Sequence, residues 1–302
     1  FFFKQKTAYE IPKRDWSSDV CSSDLDGITV WNANHIAMPN GTGLTGNGSS
    51  TQSAMIVRKP GSANLYYVFT TDASGGPFNY SIVDMTLAGG LGDVTIKNST
   101  LHPNSSERSA AVRMPNGTDF WIIGHESNGN NFFAYQLTAA GLNSVPVISS
   151  IGVLQAGTDN IGYLKASHGG DRLAMAVRYK DSFELFDFNK TTGVVSNLIS
   201  FPGYDKPYGV EFSPDDTRLY MSGGLAGGYI YQVDLTAGSP AAIVASALPL
   251  PGITASYMWA LQLGLDCKIY AVHYTSTSIG VINDPNVDRK STRLNSSHVS
   301  ES

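Results

Sequence analysis

The chain repeats itself about every fifty residues, and no other feature restricts its fold as strongly. Six short segments of strand character close on Asn, Asp or Gln: Ile28–Asn32, Ser81–Asp84, Phe133–Gln136, Glu184–Asp187, Tyr231–Asp234 and Val281–Asn283. Their end positions, 32, 84, 136, 187, 234 and 283, lie 52, 52, 51, 47 and 49 residues apart. A tight turn between two apolar runs keeps the same interval. It falls at Lys59-Pro60-Gly61-Ser62, Met114-Pro115-Asn116-Gly117, Ser167-His168-Gly169-Gly170, Ser213-Pro214-Asp215-Asp216 and Gly264-Leu265-Asp266-Cys267. Proline fixes φ at the first corner, and Asn, Asp and Gly accept the positive φ needed later, so each group signals a hairpin.

The apolar runs around these turns, such as Ala54–Val57 and Leu65–Thr70, have strand length, and no stretch of ten residues in 26–287 carries a helical period with a cap. The expected fold is therefore all-β. Units of this length, each with several short strands, match the blades of a β-propeller, here an incomplete one of about six to seven blades of ~50 residues. A lone blade exposes both apolar faces and stacking buries them, so five complete units and part of a sixth are expected to close poorly.

The two ends do not share the repeat. Residues 1–25 (FFFKQKTAYEIPKRDWSSDVCSSDL) and 288–302 (DRKSTRLNSSHVSES) resemble translated sequencing adapter, and the genetic code ties them together. Asp288-Arg289-Lys290-Ser291 can be written GAT CGG AAG AGC. The reverse complement, shifted by one frame, gives TGC TCT TCC GAT CT, which reads Cys21-Ser22-Ser23-Asp24-Leu25. Both ends are set aside as artefact before reasoning about the fold, which leaves 26–287 as the propeller fragment.

That exclusion changes the charge balance. Residues 26–287 hold 13 Lys and Arg against 19 Asp and Glu, a net charge of −6, which is no nucleic-acid footprint. Cys267 is then the one remaining cysteine, so no internal disulfide is expected and cysteine usage does not fix the compartment. No apolar run is long enough to cross a membrane as a helix.

Several stretches resemble a known family: Asp26–Asn40 (DGITVWNANHIAMPN), Gly43–Ser53, Val83–Val94 (VDMTLAGGLGDV), Ile161–Ser167, Leu185–Asn197, Tyr208–Asp215 (YGVEFSPD) and Leu261–Asn286. They are similar to the N-terminal, WD40-like propeller of large Bacteroidetes surface proteins, labelled gliding-motility-associated or type IX (type B) sorted. The resemblance implies a secreted, extracellular or cell-surface protein. It also implies a strand pair before Asp26, closing residues after Val287, and downstream immunoglobulin-like or PKD-like repeats with a sorting domain. The chain departs from the family's Ser-Pro-Asp-Gly turns at His168, Asp216, Leu265 and Cys267. Cys267 is expected to be strained where glycine would not be.

Candidate chemistry is sparse. His125-Glu126 reads as a strand end, since adjacent strand residues face opposite ways and no second histidine follows at helical spacing. His35, His102, His168 and His273 are scattered among the units without metal-ligand spacing, so no metal, cofactor or catalytic residue is expected. Asp215-Asp216 lacks the alternating ligands of a calcium loop, and the glycine-rich run 223–228 lacks the Lys-Ser/Thr of a phosphate loop.

The strongest candidate surface is a column on the strands preceding the turns: Val57, Val112, Lys165, Glu211, Gln262. If those strands are innermost, Lys165, Glu211 and Gln262 converge at the central channel beside Tyr163, Tyr208 and Trp259, where a sugar or peptide could bind. The competing reading pairs Lys165 with Glu211 across neighbouring blades and leaves them a purely structural role. The leading functional expectation is a non-catalytic interaction or adhesion module, with a glycan or surface protein as partner. Two alternatives stand beside it: a propeller hydrolase or lyase acting on polysaccharide at Lys165, Glu211 and Tyr163, and a structural spacer. Glycoside hydrolysis needs two carboxyl groups about 5–10 Å apart, and the column offers one.

Overall fold

The computed structural model describes residues 24–73, 75–225, 227–251, 258–273, 278–287 and 294–298. Twenty-four strands among them form six antiparallel sheets, each built from strands consecutive in the chain. The first sheet has β1 (Asp24–Leu25), β2 (Thr29–Trp31) and β3 (Ala37–Thr42). The second has β4 (Ala54–Arg58), β5 (Leu65–Thr71), β6 (Phe78–Asp84) and β7 (Asp93–His102). The third has β8 (Ser105–Arg113), β9 (Phe120–Glu126) and β10 (Asn131–Thr138), with β11 (Gly141–Leu142) and β12 (Val147–Ser150) both pairing β10. The fourth runs β13 (Leu164–Ala166), β14 (Arg172–Val177), β15 (Ser182–Phe188), β16 (Val195–Pro202). The fifth runs β17 (Pro207–Phe212), β18 (Arg218–Gly223), β19 (Tyr229–Asp234), β20 (Leu248–Pro249). The sixth runs β21 (Met258–Leu263), β22 (Ile269–His273), β23 (Ser278–Ile282), β24 (Leu294–His298). Successive up-and-down sheets of this kind are the blades of a β-propeller, the all-β fold read from the repeat.

Both sequence markers have a local cause. Asp84 and Asp234 end β6 and β19 by accepting, through Oδ1, the backbone N–H and hydroxyl of the threonine two residues on, Thr86 and Thr236, at 2.6–2.9 Å. This side-chain turn offers the backbone an alternative to the ladder and stops the strand. The hairpin turns close on one repeated bond, from the N–H of Ser62, Gly117, Gly170, Asp216 and Cys267 to the carbonyl three residues back, at 2.9–3.1 Å. Four of the five donors have positive φ: Gly117 (75°), Gly170 (74°), Asp216 (58°) and Cys267 (62°). The strain expected at Cys267 is therefore present, and Asp216 shares it.

The chain divides into two compact units. The first comprises residues 1–150, 154–160 and 190–194, the second 151–153, 161–189 and 195–302. In the first, Met55, Phe69, Phe78, Ala111, Ile122, Phe133 and Tyr135 fill the space between the second and third sheets. Val30, Met38, Val68, Val83 and Val94 do so between the first and second. In the second unit, Ala174, Phe183, Leu185, Val210, Phe212, Leu219 and Met221 belong to one cluster, and Tyr220, Ile230, Leu261, Ile269 and Ile282 to a further one. Burying a side chain of this size contributes about 1.5–3 kcal/mol, which is how stacked blades hold without a central core.

β1 and β24 lie in the two stretches read as adapter sequence; they pair with β2 and β23. An exposed strand edge will template whatever segment adjoins it, so the pairing follows from the edge itself. The one α-helix among the described residues, α1 (Pro240–Ala245), is six residues long, with proline in its first turn and Ser239 accepting from the Ala242 N–H. No described helix is long and apolar enough to cross a membrane.

Candidate functional site

The second unit brings the predicted column together. Lys165 on β13, Glu211 on β17 and Gln262 on β21 occupy equivalent places on the first strands of three consecutive sheets, opposite Ala174, Tyr220 and Tyr270. Lys165 Nζ lies 3.3 Å from Glu211 Oε2, with both side chains almost wholly buried, and donates to Gln262 Oε1 at 2.8 Å. Glu211 also accepts from Phe212 N (3.1 Å) through Oε1 and from Leu263 N (3.0 Å) through Oε2. The pairing of Lys165 with Glu211 across blades, weighed as the structural alternative, is the contact observed. Gln262 is the exposed member of the column.

Of the aromatic half, Tyr163 directly precedes β13 and Tyr208 lies on β17. The Tyr163 and Tyr208 rings meet edge to face at 5.7 Å, and Tyr163 N donates to Tyr208 O at 2.9 Å. Lys165 Nζ sits 5.5 Å from the Tyr163 ring centre, linking the two halves. Burial first, then the neighbouring Tyr208 and the Glu211 charge, push the Tyr163 phenol far above its ordinary pKa, so it stays neutral. Trp259 lies on β21; its side chain falls outside the described residues.

The most reactive-looking group of this unit lies at the turn between β13 and β14. Asp216, in the equivalent turn of the next blade, reaches back to it: Oδ1 accepts from His168 N (2.8 Å) and is 3.0 Å from His168 Nδ1, and Oδ2 accepts from Gly169 N (2.6 Å). With its Nδ1–H given to a carboxylate, the ring is held in the tautomer that leaves Nε2 as an acceptor, and the His168 side chain is 40% exposed. Burial works against a charged ring. The Asp216 hydrogen bond and the Glu211 and Asp216 charges outweigh it and raise the imidazole above its ordinary pKa, while Lys165 opposes them. Burial likewise resists charge on Asp216, yet the donors from His168 and Gly169 bring its pKa below the usual carboxylate range. Sequence reading missed this pair because it treated His168 as one of several scattered histidines. The signal was present: His168 and Asp216 are both departures from the turn pattern, in consecutive units.

The first unit holds a buried polar network that composition did not announce. Five successive polar residues of β8, Ser105 to Ser109, are all buried. Arg108 Nη1 donates to Gln155 Oε1 (2.6 Å) and Nη2 to Asp159 O (2.9 Å). The Gln155 amide nitrogen then faces His125 Nε2 at 3.5 Å, and His125 Nδ1 donates to Glu126 O at 2.8 Å. Burial, with the Arg108 charge, pushes the His125 pKa down to about 3. A fully enclosed neutral imidazole with both nitrogens engaged holds structure together and has no route to solvent. On the other side of β8, Glu107 Oε2 accepts from Thr51 N and Oγ1, both at 2.7 Å. Burial keeps its carboxyl above the ordinary range despite those bonds.

No family model matches this chain, and no curated protein matches it. Solved structures do share its fold. One, from Bacteroides uniformis ATCC 8492 and provisionally assigned as a 6-phosphogluconolactonase, aligns with a TM-score of 0.50 at 10% identity over 89% of this chain and 90% of its own. A second provisional 6-phosphogluconolactonase, from Bacteroides fragilis NCTC 9343, aligns at 0.50 with 8% identity over 80% and 79%. The periplasmic gluconolactonase of Pseudomonas aeruginosa aligns at 0.50 with 13% identity over 82% and 68%. Identity this low establishes a shared propeller fold. The expectation of a non-catalytic adhesion module is corrected by these comparisons: these three structures of shared fold are named as a gluconolactonase or, provisionally, as 6-phosphogluconolactonases, which favours the hydrolase alternative.

Proposed function

We propose that this propeller is a hydrolase of a carbohydrate-derived lactone or ester, with His168 as general base and Asp216 as the residue that positions it. The observation that carries the reading is the Asp216–His168 pair at 3.0 Å, on a His168 side chain that is partly open to solvent. His168 Nε2 takes a proton from water as the resulting hydroxide adds to the acyl carbon. The tetrahedral oxyanion collapses, the ring C–O bond breaks, and the departing alkoxide takes the proton back from the imidazolium, giving the hydroxy acid. Asp216 stabilises the imidazolium as it forms and keeps Nδ1 protonated.

Ester chemistry fits the residues better than glycoside hydrolysis. The nearby carboxylates are committed, Asp216 to His168 and Gly169, Glu211 to Lys165 and two backbone N–H groups, Asp171 to the Ser167 hydroxyl and Asp215 to those of Ser213 and Thr217, so they are poorly placed to protonate a leaving sugar or attack one. Gln262, exposed beside Lys165, is the group of the column placed to meet substrate hydroxyls. A secreted or cell-surface setting, with further domains on the same chain and a glycan as the source of substrate, follows from the Bacteroidetes resemblance. In this reading residues 1–25 and 288–302 remain adapter-derived.

The test is hydrolysis of glucono-1,5-lactone and 4-nitrophenyl acetate by the full chain against a buffer blank. His168→Gln is expected to lower kcat/KM by about 10²–10⁴. Turnover indistinguishable from the blank, or unchanged in that variant, would sink the proposal.

A further inference from the structure

Two residues other than glycine sit at positive φ in neighbouring loops of the second unit and are bonded to each other. Asp181 (φ 50°) ends the turn 178–180 between β14 and β15, and Lys206 (φ 45°) precedes β17. The Asp181 carbonyl accepts from Gly203 N and Tyr204 N at 2.9 Å each, and its Oδ1 accepts from Lys206 N (3.3 Å) and Nζ (3.0 Å). Backbone held in the left-handed region costs energy for such side chains, and strain of this kind gathers at ligand clamps. Here it fixes an ammonium group. Lys206 Nζ stands 5.3 Å from the Tyr179 ring centre, and the Arg178 guanidinium 5.9 Å from the same ring and 5.6 Å from that of Tyr208.

Tyr179 is 45% exposed and is flanked by two cations. The loops 178–181 and 203–206 together carry three cations, Arg178, Lys180 and Lys206, against two carboxylates, Asp181 and Asp205. Asp205 is engaged elsewhere, accepting Leu225 N through Oδ2 at 2.8 Å. Behind it Tyr204, Tyr229 and Tyr231 pack ring to ring at 5.0–6.0 Å and make the base rigid. An open aromatic face suits the apolar face of a pyranose, and the fixed cations beside it suit a carboxylate or phosphate.

We propose that Tyr179, Arg178 and Lys206 form a binding site for an anionic sugar residue, its ring stacked on Tyr179 and its charged group on Lys206. The site lies at the opposite end of β14 from His168, six residues or about 20 Å away, and does not rest on the hydrolase reading.

Calorimetric titration of the full chain with trigalacturonate, glucose 6-phosphate and neutral maltotriose tests it. Binding of either anionic probe, weakened at least tenfold by Tyr179→Ala and by Lys206→Gly and falling with added salt, is the expected result. Lys206→Gly removes the ammonium while easing its backbone, so it isolates charge from folding, and His168→Gln should bind as the wild type does. No binding of either anionic probe, equal affinity for maltotriose, or unchanged affinity in a folded Tyr179→Ala chain would overturn the assignment.

Discussion

Lys165 and Glu211 stand 3.3 Å apart on the first strands of consecutive blades, both shut away from water, with Gln262 of the blade after completing the lysine's bonds. Removing one partner strands the other's charge in the interior, so Glu211→Ala is expected to cost about 3–5 kcal/mol. Replacing both, as Lys165→Met with Glu211→Leu, should recover most of that loss. Urea denaturation of the three variants checks this; a single variant as stable as the wild type would show that water reaches the pair.

His168 and Asp216 give the pair a pH window. The His168 pKa is raised on folding, so its contribution to stability is complete below the unfolded value and disappears as pH rises through the folded one. The Asp216 pKa is lowered, so its contribution is present above the unfolded carboxylate value and disappears as pH falls through the folded one. Stabilisation by the pair should therefore peak in mildly acidic solution, at less than about 1 kcal/mol for so exposed an imidazole. Hydrolysis should behave oppositely at its acid limb, falling as His168 becomes protonated, and Asp216→Asn should move that limb to lower pH. A pH–rate profile identical in the two proteins would remove Asp216 from the mechanism.

Cys267 holds φ 62° at a hairpin position that Gly117 and Gly170 fill elsewhere. Relief of left-handed strain, worth about 1–2 kcal/mol, is partly offset by the extra freedom glycine has when unfolded. Cys267→Gly is thus expected to stabilise the fold by about 0.5–1 kcal/mol, seen as a small rise in Tm, and Cys267→Ala should not.

Arg108, wholly buried, ties Gln155 and the Asp159 carbonyl to β8. Arg108→Met removes charge-assisted bonds and leaves Gln155 Oε1 and that carbonyl without these donors, at about 1.5–3 kcal/mol for each bond to a charged group. Thermal melting should show a loss several-fold larger than for Arg113→Met, whose guanidinium bonds the Gly117 carbonyl at the surface.

The fold was legible because its markers are local. Asp84 and Asp234 stop strands with their own side chains, and the turn residues announce their φ, so both signals survive in one dimension. The inner column was legible for the same reason: Lys165, Glu211 and Gln262 keep one distance from their turns. The pairing of His168 with Asp216 was not, because the two meet only through the stacking of one blade on the next, 48 residues along the chain. Nor was the buried strand Ser105–Ser109 legible, whose composition reads as surface until Gln52, Thr51 and Gln155 are seen to close around it. The expectation of an adhesion module rested on the repeat, the low charge and the family resemblance, none of which reports how side chains of different blades meet.

The hairpin position shared by Gly117, Gly170, Asp216 and Cys267 has a wider meaning. Its backbone is secured by the same turn bond in each of these blades, so the side chain there is spare to the architecture, a socket into which chemistry can be fitted without redesigning the blade. One socket carries the carboxylate that orients an imidazole, one carries a thiol, and two stand empty at glycine. A propeller assembled from such units can acquire a reactive group one blade at a time, and its neighbours need only supply the residue that group will face.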